Sequence, residues 1–251
     1  MIKEERLKRI MREVNIHNKV LSVDLSRLLN VSEDTIRRDL KDLVNLGKIA
    51  KVHGGGISLS FALSFNHTNN NEIYALEEKQ QIAQKTKTLL KKDMTILIEG
   101  GTTILEIAKS IPENLNATFF SLSPQVGVAL AKYENLEVVC IGGKINKNAY
   151  LYTGASVINQ LADMKVDLCI IGANGFSIEE GLTDSDWEVV QVLKAMIRSS
   201  HKVAVVCISE KLNTGQRMKI CDTNSINYLI TELSPDDSRL LQYRNANITV
   251  I

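Results

Sequence analysis

Along the first fifty residues, apolar positions recur at helical spacing. Leu7, Ile10, Met11 and Val14 stand at i, i+3, i+4 and i+7, which predicts an amphipathic helix over Glu4–Val14. A polar break at residues 15–19 follows. Ser22 then stands as the N-cap of a short helix carrying Leu25, Leu28 and Leu29 inward, and Asn30-Val31 turns the chain. Ser32 is the next N-cap, with Glu33 and Asp34 complementing the helix dipole in the first turn. This third helix is predicted to run to about Leu46 and to stop at Gly47. Its core stripe is Ile36, Leu40, Leu43 and Val44, while Asp34, Arg37, Arg38 and Lys41 gather on the opposite face. Residues 48–53 then read as a strand, and Gly54-Gly55-Gly56 as a turn.

The pattern changes twice further on. Residues 57–75 lose periodicity and turn Asn-rich, which reads as a linker. Beyond them, strand-like runs alternate with helical ones. Strands are predicted at 95–98, 117–120, 137–141, 168–171, 203–207 and 228–231, and helices at 77–90, 102–110, 124–132, 156–161, 188–198 and 235–243. This βαβα order predicts an α/β domain with a mostly parallel sheet between layers of helices. The organisation expected is a small helical domain at 1–57, a linker at 58–75 and a larger α/β domain at 76–251.

Composition narrows this picture. The chain has 251 residues and is 44% apolar, enough for two packed cores. Its net charge of +1 hides an asymmetry: residues 1–60 carry 12 Lys and Arg against 8 Asp and Glu (+4), and the remainder 18 against 21 (−3). A basic end on an acidic body suggests a polyanionic partner. The N-terminus has no apolar signal core, and the longest apolar runs are strand-sized, so a cytoplasmic chain is expected. Cys140, Cys169, Cys207 and Cys221 form no CxxC pair and read as ordinary thiols of a reducing compartment. With four scattered histidines and no GxGxxG opening, neither a metal nor a nucleotide cofactor is expected.

Helix, helix, tight turn, helix and basic hairpin is the order of a winged helix-turn-helix. A major groove admits one helix, whose outer face must offer donors to base edges. The planar fork of arginine meets the O6 and N7 of guanine together. Lys41, Lys48, Lys51 and His53 suit phosphates. The stretch VSEDTIRRDLKDLVNLGKIAKVHGGG resembles the helix-turn-helix signature of the DeoR family of bacterial sugar-responsive transcriptional regulators, over the whole of residues 1–57. The resemblance implies double-stranded operator DNA as partner, contacted by Ser32, Glu33, Thr35, Arg37, Arg38, Lys41, Lys51 and His53.

In an open α/β sheet, ligands bind beyond the carboxyl ends of the strands. Three such ends carry chemistry here. Glu99-Gly100-Gly101-Thr102-Thr103 leads from a strand into a helix, a phosphate-cradle pattern though not a Walker loop. Gly172-Ala173-Asn174-Gly175 ends a second strand, and the polar loop 181–186 opens the next helix. Lys211 follows a third strand directly. With IGG at 141–143 and Gly154, these stretches resemble the effector domain of the same family over residues 75–232. That resemblance implies a fold similar to ribose-5-phosphate isomerase and a bound phosphorylated sugar. By position, Gly101, Thr102 and Thr103 correspond to the phosphate loop, with Glu99 where the family usually has Asp. Ser121 and Ser123 fall at its Thr-Asn-Ser triplet, and Asn174, Asp186, Glu188 and Lys211 complete the rim. Three departures stand at this mouth: FFSLS replaces the triplet, Leu193 stands where lysine is frequent, and Ile208 replaces an aspartate. They imply a different ligand or a weaker phosphate requirement.

The reading is therefore a sequence-specific DNA-binding regulator, a repressor of a carbohydrate-use operon controlled by a sugar phosphate, acting as a homodimer or homotetramer. The alternative is a sugar-phosphate isomerase-like enzyme with an appended DNA-binding domain. Aldose–ketose isomerisation needs a carboxylate base. The GANG loop offers Asn174 and no acid, leaving Glu99 and Glu210 as substitutes, so no catalysis is expected.

Overall fold

The computed structural model describes residues 1–59 and 73–251. They fall into two compact units, Met1–Tyr74 and Ala75–Ile251. The Asn-rich stretch expected as a linker lies almost entirely outside the described residues.

The first unit contains α1 (Lys3–His17), β1 (Lys19–Leu21), α2 (Ser22–Leu29), α3 (Glu33–Asn45), β2 (Ile49–Val52) and β3 (Gly55–Ser58). The strands form an antiparallel sheet in the order β1-β3-β2. Ile10, Val14, Val20, Leu25, Leu29, Ile36, Leu40, Leu43 and Ile49 make one core. This is the winged helix-turn-helix order, with four local corrections. The polar break at 15–19 is the end of α1 and the start of β1, because Ile16 and Val20 are buried. Ser22 is the first helical residue of α2 and caps nothing; extended Leu21 precedes it. Leu28 is 59% exposed. Ser22, Leu25 and Leu29 centre the buried stripe of α2, and Leu28 sits about 100° from its middle. Finally, only His53 and Gly54 turn the wing. Gly55 and Gly56 belong to β3, where a Cβ on Gly55 would lie 1.8 Å from the Val20 carbonyl oxygen and one on Gly56 2.7 Å from Ile49 Cδ1. Those two glycines serve close packing, and the turn needs only Gly54 at φ +75°.

Apolar patterning also missed a buried charge. Asp39 lies on the inner side of α3 with its side chain 2% exposed, and Arg6 of α1 meets it through two hydrogen bonds, Nε at 2.5 Å and Nη2 at 3.1 Å. This forked pair fastens α1 to α3.

The second unit runs α4 (Leu76–Thr86), β4 (Thr95–Ile98), α5 (Thr102–Lys109), β5 (Ala117–Ser121), α6 (Pro124–Leu130), β6 (Leu136–Cys140), β7 (Lys144–Asn146), β8 (Leu151–Thr153), α7 (Ala155–Ala162), β9 (Val166–Gly172), β10 (Gly175–Ser177), β11 (Gly181–Asp184), α8 (Trp187–Arg198), β12 (Ser200–Val206), β13 (Met218–Cys221), β14 (Tyr228–Ile230), α9 (Leu241–Asn245) and β15 (Thr249–Val250). Seven strands form one parallel sheet in the order β15-β14-β12-β9-β4-β5-β6. Ile96, Leu97 and Ile98 of central β4 are fully buried, as expected of a strand covered on both faces. All six expected strands are present. The hairpin β7–β8, the small antiparallel sheet β10-β11-β13 and β15 were not foreseen; their strands are two to four residues long, too short to show a period. The helix expected at 235–243 is a 3₁₀ turn followed by the five-residue α9, since Asp237 caps the backbone N–H of Arg239 and restarts the chain.

Topology already points to a place. From β4 the chain adds β5 and β6 on one side, then returns to add β9, β12, β14 and β15 on the other. The order therefore reverses between β4 and β9, the switch point at which such sheets open a crevice.

Candidate functional site

The first candidate face is the outer side of α3 with the wing. Ser32 caps α3, its Oγ accepting from the Thr35 amide at 3.3 Å and sharing a 2.9 Å hydrogen bond with the Thr35 hydroxyl. This fixes the N-terminal turn that would enter a groove. Arg37, Arg38, Lys41, Lys51 and His53 are exposed. The two arginines differ. Arg37 is held along its own helix by Glu33 at 3.0 Å and Asp34 at 3.3 Å. Arg38 has no ion pair among the described residues and lies nearer the pole opposite the buried stripe. Seen from the sequence the pair looked alike.

The second candidate face is the switch-point crevice. Ile98 of β4 stands beside Ser121 of β5 and Ile170 of β9, and Gly172 beside Val206 of β12. The segments that follow, 99–103, 122–123, 173–174 and 207–211, therefore leave the sheet along one edge. Gly101 adopts φ +92°, open to glycine, just before α5. At Gly100 a Cβ would lie 2.6 Å from Leu151 Cδ2, so the loop is pressed against β8. Thr102 is buried and Thr103 half-buried. Among the described residues neither hydroxyl is bonded to another protein group, and both stand where free helical N–H groups point outward.

Charge collects behind this loop. The Glu99 carboxylate reaches across to β9 and accepts from the Gly172 N–H at 2.6 Å. Burial pushes it up to about 8, against the lowering effect of that hydrogen bond, with the Asp184 charge raising it and Lys211 lowering it. Lys211 is 8% exposed and donates to the Ala173 carbonyl at 2.9 Å. Burial lowers its pKa, opposed by Cys207, Asp184 and Glu99. Asn174 donates to Asp184 at 2.6 Å, and Asp184 is 6% exposed, its carboxyl raised chiefly by burial.

Two residues here were missed by sequence reasoning. Asp184 is one: it lies in the polar loop 181–186, but the acids expected there are Asp186 and, just beyond, Glu188. Lys79 in the first turns of α4 is the other. It is 4% exposed, and burial, then the charge of Lys211, bring it down to about 7 against the pull of Glu106 and Glu78. A lysine at a helix position flanked by Ile82 and Ala83 gave the one available signal, a cation inside an apolar stripe.

Other expected residues are engaged locally. Asp186 caps α8 by accepting from the amides of Glu188 and Val189, and also accepts from Asn146 at 3.2 Å. Glu188 pairs with Lys144 at 2.9 Å and accepts from Thr153 at 3.3 Å. Both therefore tie α8 to the β7–β8 hairpin. Ser121 and Ser123 are buried and close a turn on each other, the Ser121 hydroxyl donating to the Ser123 carbonyl at 3.0 Å and accepting its amide at 3.1 Å. Leu193 and Ile208, two of the expected departures, are in the core. Glu210 is exposed. Among the described residues no His, Cys, Asp and Glu side chains cluster as metal ligands, and no helix is long and apolar enough to cross a membrane.

Known proteins resemble the chain in both units. It is 29% identical over 246 residues to the HTH-type transcriptional regulator GolR of Listeria innocua, spanning 98% of this chain and 97% of that one. It is 26% identical over 213 residues to the glycerol-3-phosphate regulon repressor of Haemophilus influenzae, spanning 85% and 83%. Among solved structures, ribose 5-phosphate isomerase A of Neisseria gonorrhoeae is 18% identical with a TM-score of 0.42, over 55% of this chain and 54% of that one. Residues 6–61 match the DeoR-like helix-turn-helix domain, and residues 75–233 match the DeoR C-terminal sensor domain. With the two matches divided as the two compact units are, the chain belongs to the DeoR family of helix-turn-helix transcriptional regulators.

Proposed function

We propose that this protein represses a carbohydrate-use operon and that a phosphorylated sugar in the switch-point crevice sets its affinity for operator DNA. The observation that carries the ligand is the glycine–threonine loop at the start of α5, where Gly101 adopts φ +92° and the Thr102 and Thr103 hydroxyls are bonded to no other protein group among the described residues. A helix N-terminus favours an anion, and the buried cation Lys211, whose field reaches Glu99 beside this loop, favours the same sign of ligand. Gly101, Thr102 and Thr103 then hold the phosphate, Lys79 and Lys211 neutralise it, and Asn174 with Asp184 meets sugar hydroxyls. Glu99 supports the loop through Gly172. Arg38 reads bases, Arg37, Lys41, Lys51 and His53 grip phosphates, and Ser32, Glu33 and Thr35 frame the helix end. One such module buries too little for operator-grade affinity, so two or more copies act together. The relatives are named as regulators and a repressor, which favours regulation over catalysis.

The isomerase reading gains one observation, the buried acids Glu99 and Asp184 near one another's field. Turnover of ribose 5-phosphate above the buffer rate, lost in Asp184→Asn, is its test.

The regulator reading is tested by thermal shift with phosphorylated hexoses, pentoses and ketoses beside the free sugars. Native-state binding at 100 times Kd stabilises by about 2.7 kcal/mol. A phosphorylated sugar is expected to raise the melting midpoint where its free sugar does not, and Thr102→Ala with Lys211→Met is expected to abolish the rise. Equal shifts from free sugars, or a shift that survives both substitutions, overturn the phosphate site.

A further inference from the structure

One short hairpin touches both sides of the switch-point crevice. On the side of the glycine–threonine loop, Leu151 of β8 packs so close to Gly100 that a Cβ there would fall 2.6 Å from Leu151 Cδ2. Next to it, the Tyr152 amide donates to the Leu122 carbonyl at 2.8 Å. On the other side, Lys144 and Asn146 of β7 and Thr153 of β8 all bond to Asp186 or Glu188, at the start of α8. The β7–β8 hairpin therefore links the segment that follows β4 to the segment that follows β11.

Asn146 is the centre of this link. It is 7% exposed, and both ends of its carboxamide are engaged. Its Oδ1 accepts from the amides of Asn148 at 2.9 Å and Ala149 at 3.1 Å, which closes the hairpin turn. Its Nδ2 donates to Asp186 at 3.2 Å and Glu188 at 3.4 Å. Such a turn needs only the acceptor, which aspartate supplies as well as asparagine does. The buried donor therefore serves the acids. Asp186 passes the constraint on: its amide donates to Asp184 at 2.8 Å, and Asp184 accepts from Asn174 at 2.6 Å. Thr153, fully buried, adds a second tie, its hydroxyl shared between Glu188 and the Lys144 carbonyl, each at 3.3 Å. The Lys144–Glu188 pair is exposed and adds little. Side chains that meet a ligand keep their geometry through the hydrogen bonds behind them. We propose that the β7–β8 hairpin sets how far the Asn174–Asp184 pair stands from the glycine–threonine loop and so selects the length of the bound sugar phosphate, with Asn146 as the positioning residue. The inference rests on the sugar-phosphate reading above and adds what sets its selectivity.

Equilibrium binding of glyceraldehyde 3-phosphate, ribose 5-phosphate, fructose 6-phosphate and inorganic phosphate to the full chain tests this. The unaltered protein is expected to prefer one of the three sugar phosphates by about tenfold or more. Asn146→Asp keeps the acceptor that closes the turn, cannot donate to Asp186 and sets a like charge beside it. In this variant the preference is expected to shrink to about threefold or less, while affinity for inorganic phosphate stays within about twofold. Thr153→Val keeps the side-chain shape and removes the second tie, so it is expected to narrow the preference by a smaller factor. It carries the test if Asn146→Asp does not fold. A merely structural Asn146 would weaken inorganic phosphate and every sugar phosphate alike, and that result overturns the inference. A preference that survives both substitutions overturns it too, as does equal binding of the three sugar phosphates by the unaltered protein. Binding of none of them, or equal binding of the free sugars, overturns the sugar-phosphate reading and this inference with it.

Discussion

The outer face of α3 and the switch-point crevice handle charge in opposite ways. Arg37, Arg38, Lys41 and Lys51 stand in water, whereas Lys79, Glu99, Asp184 and Lys211 are all less than a tenth exposed. Two unit charges 4 Å apart interact by about 1 kcal/mol in water and about 4 kcal/mol at an effective dielectric of 20. An exposed face can therefore hold uncompensated cations cheaply, and it acts by summing weak terms along a polyanion. A crevice holds few charges, each strongly perturbed, so a small ligand of the right sign changes its energy sharply. The first design suits a long partner and the second a small one.

The comparison breaks first at Asp39, the charge in the helix-turn-helix unit that is buried as the crevice charges are. Removing one partner of a buried ion pair costs about 3–5 kcal/mol, because the other charge stays without compensation. Arg6→Met is therefore expected to loosen α1 from α3, raise amide exchange across residues 3–45 and abolish DNA binding, although no DNA-facing residue has changed. The thermal transition of the sensor unit is expected to stay in place. Unchanged exchange in Arg6→Met means the pair does not hold the unit together.

Next in size is the asymmetry between adjacent arginines. On a duplex selected by the unaltered protein from a random pool, Arg38→Ala is expected to cost about 1–3 kcal/mol and to relax sequence preference. Arg37→Ala is expected to cost less and to leave preference intact, since Glu33 and Asp34 already compete for its guanidinium. Competition binding against scrambled duplexes separates the two. Equal losses with no change in preference assign both arginines to phosphates.

This contrast also explains how much could be seen in the sequence. Helix α3 is one continuous segment, so its period placed Ile36, Leu40 and Leu43 inside and Arg38 and Lys41 outside without further information. The central strands were equally legible, because a strand buried on both faces, as at 96–98, 168–171 and 203–206, is an unbroken apolar run. The crevice is assembled from segments more than a hundred residues apart, and its local signs were confined to the glycine–threonine loop, the 172–175 turn with the 181–186 loop, and Lys211. Lys79 sits in a helix with ordinary amphipathic spacing, and its burial comes from α5 and its electrostatics from Lys211, neither visible from its neighbours in sequence. Asp184 lost out to Asp186 for a related reason: both are acids in one loop, and only the register of β11 decides that Asp184 turns toward Asn174 while Asp186 caps α8.

A subtler test of the buried side uses pH. Lys79 is held down to about 7, so from there to its usual 10.5 the unfolded chain carries a proton that the folded chain lacks. Its contribution to stability therefore rises with pH across that window. Glu99 is raised to about 8, so between its usual 4.5 and 8 the folded chain carries the extra proton and stability falls as pH rises. Together they leave the ligand-free sensor least stable near pH 7–8. Glu99→Gln is expected to flatten the fall between pH 5 and 7, and a phosphorylated sugar to fill the basin by keeping Lys79 charged. Melting curves from pH 5 to 9 check this; a profile unaltered by Glu99→Gln removes Glu99 from the balance.

The smallest effect expected is also the one that separates the two regions most cleanly. Lys51 is exposed on β2, opposite Gly56 and just before the wing turn, and has no ion pair among the described residues. A lysine that neutralises one phosphate releases condensed counterions, so removing it lowers the slope of log affinity against log salt by about 1. Lys51→Ala is therefore expected to weaken binding evenly across sequences, less at high salt than at low. Lys79→Met removes the same formal charge from the chain, but from a site that water and DNA phosphates do not reach, so its salt slope is expected to stay at the unaltered value. If Lys79→Met lowers the slope and Lys51→Ala does not, net charge and not local contact governs the affinity, and the division between an exposed reading face and a buried sensing crevice fails.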